Sequence, residues 1–104
     1  MRLARGSELT ACWEHGRRLR TAHLDLAWRP RAAASARTGL VVPRFHHSVV
    51  SRNRLRRRLK EILRRHVQPR LSAVDLVVHA KRAAYGASFA ALCAELADVP
   101  SRLA

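Results

Sequence analysis

The chain has 104 residues, close to half of them hydrophobic, and carries a formal net charge of +14. That length buries one modest core and not two, so a single domain over residues 1–104 is expected. The charge calls for a polyanionic partner, nucleic acid or an anionic membrane surface, while no apolar run approaches the roughly 18–20 residues that span a bilayer.

In chain order, "SELTACWEH" (7–15) reads as a short amphipathic helix with Ser7 as N-cap, Leu9, Cys12 and Trp13 on one face, and Gly16 ending it. "HLDLAW" alternates: Leu24, Leu26 and Trp28 fall on one side, His23, Asp25 and Ala27 on the other. That is a half-buried strand, closed by Pro30. "RPRAAASAR" has no period and reads as an exposed loop, and "TGLVVP" as a second, more buried strand stopped by Pro43. A short third strand is expected around Ser48 to Val50.

From 51 to 66 runs "SRNRLRRRLKEILRRH". Leu55, Leu59, Ile62 and Leu63 make one narrow apolar stripe on a helix, with Ser51 as the expected N-cap and Pro69 beyond the last turn. "DLVVHA" (75–80) is a continuous apolar run of strand length, expected at the centre of a sheet. Ser88 then caps a last helix with Phe89, Leu92, Cys93 and Leu96 on its buried face. Helices packed on a small sheet, a two-layer α/β sandwich of the α+β class, follow from this order.

With the stripe turned inward, 100° per residue puts Asn53, Arg57, Lys60 and Arg64 on the outward side of the basic helix. Arg56 lies on one flank, and Arg54, Arg58 and Arg65 on the other. An ordinary solvated face mixes signs at i,i+4, whereas this helix holds a single acid, Glu61, expected to pair with Arg57. Arg54 with Arg58, and Arg56 with Lys60, repel by a few tenths of a kcal/mol each, a cost that a phosphate backbone would reverse. All basic residues except Lys60 and Lys81 are arginine, whose planar fork of donors grips phosphate oxygens in pairs. A nucleic-acid-binding face is therefore expected here.

"RNRLRRRLKE" resembles the signature of the protein component of bacterial ribonuclease P: Arg52, Asn53 and Arg54, then Arg56, Arg57 and Lys60, fill that pattern without a gap. "SELTACWEHGRRLR" is similar to the family's first helix and its basic exit, "RTGLVVPR" to a strand carrying Arg-x-Gly-Leu-x-Val, and "VDLVVHAK" to the Asp-led strand after the signature. The resemblance implies an αβββαβα order and a small mixed sheet with a left-handed βαβ crossover, the fold of ribosomal protein S5 domain 2. It implies a catalytic RNA partner that removes the 5′ leader of precursor tRNA using Mg²⁺ held mainly by that RNA. The protein's signature helix and preceding loop, with Arg44 and Arg64 added to the signature bases, would contact the RNA. A cleft between first helix and sheet would hold the leader. Three positions fall in that cleft: Leu9, where an aromatic is common, Trp13, and Ala27, where a tyrosine is frequent. Before the signature, Phe45 and His47 stand where the family has a lysine and a glycine.

Other sites find little support. A protein-based metal nuclease needs converging carboxylates, and the seven acids are scattered along the chain, Asp75 reading as a group that orients its strand. His46 and His47 are adjacent, so on an extended segment they point apart, and a solvent or phosphate contact suits them better than a shared metal. His66 falls on the inner stripe near its helix end, packed or facing the helix dipole. Cys12 and Cys93 form no CxxC or zinc pattern and read as reduced thiols with no disulfide partner, as in a cytoplasmic protein. The alternative function is a structural RNA-binding protein of ribosomal type; a DNA reader would need a partner helix and usually a dimer interface.

Overall fold

The computed structural model describes residues 6–32 and 34–103, the Ser7 side chain excepted. Helix α1 spans Gly6–His15, so the backbone of Ser7 lies inside its first turn. Three strands follow, β1 (Arg17–Arg20), β2 (Leu24–Pro30) and β3 (Arg37–Val41). Then come α2 (Val49–Ile62), a π-helical turn at Leu63–Val67, a 3-10 turn at Gln68–Arg70, β4 (Val74–Ala80) and a 3-10 turn at Arg82–Gly86. Helices α3 (Phe89–Ala97) and α4 (Val99–Arg102) close the chain. The αβββαβα order is as expected, but one strand stands elsewhere. Ser48–Val50 is not a strand, and "RRLR" at 17–20 is.

The sheet runs β1-β2-β4-β3, with β1, β2 and β4 antiparallel in turn and β3 parallel to β4. Helix α2 supplies the crossover between that parallel pair, since two parallel strands cannot be joined by a tight turn. Strand β4, buried at every residue but His79, is the centre its apolar run predicts. Register sets Leu26 opposite both Leu19 and Val78, Trp28 opposite Leu76, and Leu24 opposite Ala80, so these residues share one face. On that face they meet Leu55, Leu59, Ile62, Leu63 and Val67 from the α2 segment and Leu92, Leu96 and Val99 from the last two helices.

The opposite face carries a second, smaller cluster. Cys12 and Val77 are fully buried there, with Leu9, Trp13 and Val41 packed around them. Helix α1 thus lies on the side of the sheet away from α2 and α3, a partial third layer added to the two-layer sandwich. Its Cys12 thiol donates to the carbonyls of Ala27 (3.7 Å) and Asp75 (3.5 Å), pinning helix to strands. Burial, reinforced by the Asp75 carboxylate, pushes that thiol above its ordinary pKa. Both cysteines are free thiols. Gly16, right after α1, is a place of close approach: a Cβ there would lie 2.5 Å from the Cys12 carbonyl oxygen and 2.7 Å from that of Trp28.

Three local expectations change. The cap of the basic helix is Ser48 and not Ser51: its Oγ accepts from the Ser51 amide at 3.1 Å, so α2 begins about one turn earlier than expected. His66 is exposed, and Val67 takes the buried position, because the π-turn inserts an additional residue before the stripe returns. Ser88 caps α3 as expected, accepting from the Ala91 amide. Phe89, however, is 45% exposed, and the buried face continues through Leu92 and Leu96 to Val99 and Leu103.

Candidate nucleic-acid interface

The outward side of α2 is a basic row. Val50, Asn53, Arg54, Arg57 and Arg58 fall at i, i+3, i+4, i+7 and i+8 and line a shallow groove along the helix. Arg54, Arg57, Arg58 and Lys60 are exposed, and none has an acidic partner within 4 Å among the described residues. The expected Arg57–Glu61 pair is absent. Glu61 instead binds Arg64 (2.8 Å) and Arg65 (2.5 Å), one turn further on. The hydrogen bond from Arg64 holds the Glu61 carboxyl below its ordinary pKa. One acid is thus drawn to the far end of the row, leaving the middle uncompensated. The first turn of α2 contains no acid, so the positive end of the helix dipole adds to the same field.

Two more of the expected RNA contacts, Arg52 and Arg44, are also bonded to backbone carbonyls. The Arg52 Nε donates to the Val42 carbonyl at 2.7 Å, tying the start of α2 to the end of β3. Arg56 is half-buried, with its Nε enclosed and without a partner among the described residues. Asn53 is half-buried along the groove, and Arg44 is exposed on the preceding loop, its Nε donating to the His47 carbonyl at 3.2 Å.

That loop turns unusually. The His47 amide donates to the Arg44 carbonyl at 2.8 Å, and the two residues between, Phe45 and His46, have φ of 48° and 71°. Positive φ at both central positions is the signature of a type I′ turn, whose preferred occupants are glycine and asparagine. The left-handed backbone therefore sits at 45 and 46, not at 47. Histidine tolerates it better than a bulky phenylalanine does.

On the opposite face of the sheet, the cleft residues are disposed unevenly. Ala27 is fully buried under α1 and offers a ligand no surface. Leu9 is half-buried in the α1 cluster. Trp13 is stacked on His79, ring centroids 3.7 Å apart and planes within 10°. The Arg18 guanidinium lies 3.8 Å from the same indole centroid and donates to the Trp13 carbonyl at 2.7 Å. Two groups so close to one ring cannot share a face, so both faces of Trp13 are taken. Burial, then the Arg18 charge, pushes the His79 imidazole below its ordinary pKa. Neither His79 nor Arg18 was legible as part of this stack, because partners across a sheet face carry no spacing signal in sequence.

Asp75 is the most buried charge among the described residues, 3% exposed. Arg37 grips it with both arms of its fork, Nε–Oδ1 2.9 Å and Nη2–Oδ2 3.0 Å, while Arg31 and Arg29 stand at 3.7 and 3.9 Å and Glu8 binds Arg37 from α1. Asp75 orients far more than its own strand, since it joins β2, β3 and, through Arg37, the first helix. His23 and Glu95 pair across the molecule, linking the β1–β2 turn to α3. Burial pushes the Glu95 carboxyl up, but hydrogen bonds from Thr21 and His23 outweigh it and hold the pKa below ordinary.

A mixed four-stranded sheet with an arginine-lined crossover helix defines the class, a small basic α+β protein with its exposed cations concentrated on one helix. The same fold occurs in solved structures of ribonuclease P proteins. That of Thermotoga maritima superposes with a TM-score of 0.85 at 22% identity, covering 98% of this chain and 96% of that one. That of Staphylococcus aureus gives 0.83 at 16%, covering 98% and 93%. The family model described as Ribonuclease P matches residues 1–104. The ribonuclease P protein component of Desulfovibrio desulfuricans is 39% identical, over all of this chain and 83% of its own length. That of Nocardioides sp. is 40% identical over 78% of this chain and 68% of its own. The chain belongs to the ribonuclease P protein family, the protein part of an endoribonuclease holoenzyme.

Proposed function

We propose that this chain binds the ribonuclease P RNA through the outward side of α2 and assists that RNA in removing the 5′ leader of precursor tRNA in the cytoplasm. The observation that carries this is the exposed, acid-free row Arg54, Arg57, Arg58 and Lys60. Like charges at helical neighbour spacing are unfavourable unless an anion lies along them. Arg44 and Asn53 extend the row, Arg64 adds a donor already shared with Glu61, and Arg52 and Arg56 contribute from half-buried positions. Among the described residues no helix is long and apolar enough to cross a membrane.

Cleavage itself is assigned to the RNA and to Mg²⁺ that the RNA mainly holds. The disposition of the acids supports this division. Glu8, Asp25, Glu61, Asp75, Glu95 and Asp98 are each engaged with arginine, lysine or histidine side chains. The protein's part is electrostatic. Its arginines lower the repulsion between two polyanions, so the complex works at less Mg²⁺ than the RNA alone. The 5′ leader is placed beside α1, over the Trp13–Arg18–His79 stack. With both indole faces occupied, its first contact there is the exposed Arg18 and not the indole.

The test is cleavage of precursor tRNA by the RNA of the same genome at low Mg²⁺, with and without the protein. Faster cleavage with the protein is expected, and equal rates would end the reading. If crosslinking enriched ribosomal RNA over ribonuclease P RNA, the ribosomal-type alternative would replace it.

A further inference from the structure

We infer that Tyr85 is a positioning residue for RNA binding: it holds the Arg44–His47 turn in its left-handed form and thereby fixes where Arg44 meets the RNA. The inference rests on the function proposed above. Tyr85 lies in the 3-10 turn between β4 and α3, distant in sequence from the loop it touches. Its hydroxyl donates to the Pro43 carbonyl at 2.6 Å. Its ring stacks on His47, centroids 3.9 Å apart and planes within 2°, and meets the Phe45 ring edge-on at 6.4 Å. Arg82, from the same 3-10 turn, places its guanidinium 5.2 Å from the Phe45 centroid. Three residues of the loop are thus held from one side by a single side chain.

That hold answers the problem the turn creates. A phenylalanine at φ 48° persists only where its surroundings over-determine it. Edge-to-face and stacked aromatic contacts are directional, so they select one loop geometry instead of merely covering it. The loop in turn sets the basic surface: Arg44 sits at its first corner with Nε held by the His47 carbonyl, and Ser48, the α2 cap, follows at once. Arg52 tethers the same helix to Val42, next to Pro43, so Arg52 and Tyr85 hold adjacent residues at the entry of the loop.

The experiment measures binding of the full chain to its ribonuclease P RNA for wild type, Tyr85→Ala, Arg44→Ala and the double variant, across a salt series, with thermal melts alongside. Tyr85→Ala is expected to weaken binding about three- to tenfold, and by less than about twofold when Arg44 is already alanine. It should also reduce the salt slope by about one contact's worth. Tyr85→Phe keeps both ring contacts and should bind within about twofold of wild type. Should the alanine variant fail to fold, Tyr85→Leu, which keeps bulk but loses stacking and hydroxyl, carries the same comparison. The same loss with and without Arg44, no loss, or a phenylalanine variant as weak as alanine overturns the inference. Wild type binding this RNA no better than an unrelated RNA of equal length would instead sink the proposed function, and this inference with it.

Discussion

Replacing Arg57 by alanine tests the charge argument most directly. Four exposed cations of α2, Arg54, Arg57, Arg58 and Lys60, have no acidic partner among the described residues. If each neutralises one phosphate of a helical RNA segment, this face contributes a slope of about −3.6 to log K against log salt, taking roughly −0.9 per contact. Between about 50 and 200 mM salt that slope weakens binding roughly 150-fold, and removing one contact reduces the loss to about 40-fold. Titration of the full chain with its ribonuclease P RNA at several salt concentrations reads the slope. Arg65→Ala is the internal control. Arg65 shares Glu61 with Arg64, so its removal also releases an acid to its neighbour, and the slope should change by less. An Arg57→Ala slope equal to wild type, or equal to that of Arg65→Ala, would refute the claim that the middle of the row meets phosphate.

Three further outcomes are expected. Asp75→Asn breaks a buried ion pair; such losses run to about 3–5 kcal/mol, and because Arg37 is partly hydrated the expected cost is about 2–3 kcal/mol. In a chain of this size that lowers Tm by roughly 10–20 °C, read by circular dichroism, and a shift under a few degrees would contradict the hub. His79 has a depressed pKa in the folded state, so unfolding favours its protonation and stability falls as pH drops below about 6.5 towards the folded value. Urea titrations of wild type and His79→Asn between pH 7.5 and 5 should show a shallower decline in the variant, and parallel curves would argue against it. Gly16→Ala drives a methyl into the Cys12 and Trp28 carbonyls, at a cost of about 1–3 kcal/mol or more, and an unchanged Tm would mean the α1–β1 corner can relax.

Elements with a strong period were legible in sequence, and those held by distant partners were not. The stripe Leu55–Leu59–Ile62 and the run at 75–80 state their burial outright, as does the alternation of Leu24, Leu26 and Trp28. Strand β1 has no such pattern: three of its four residues are exposed arginines, and only pairing with β2 makes it a strand. The two valines after Ser48 look like strand, yet they are 52% and 68% exposed, because the Ser48 hydroxyl satisfies an amide and starts a helix instead. The basic face of α2 was largely visible in the charge pattern, although Arg52 bonding to Val42 and Glu61 turning to Arg64 and Arg65 depend on geometry alone. Ala27 illustrates the limit of a family resemblance. Its strand position places it opposite Val77 on the α1 face, and α1 then covers it completely.

Strand β1 also forms a border of the sheet, with Arg17, Arg18 and Arg20 along it and a ladder partner on one side only. Such a border is an open template on which a second molecule can zip. Here two approaching copies would set guanidinium against guanidinium, and identical charges facing across a ladder destabilise it. The same arginine-heavy usage therefore disfavours edge-to-edge pairing of two copies through β1.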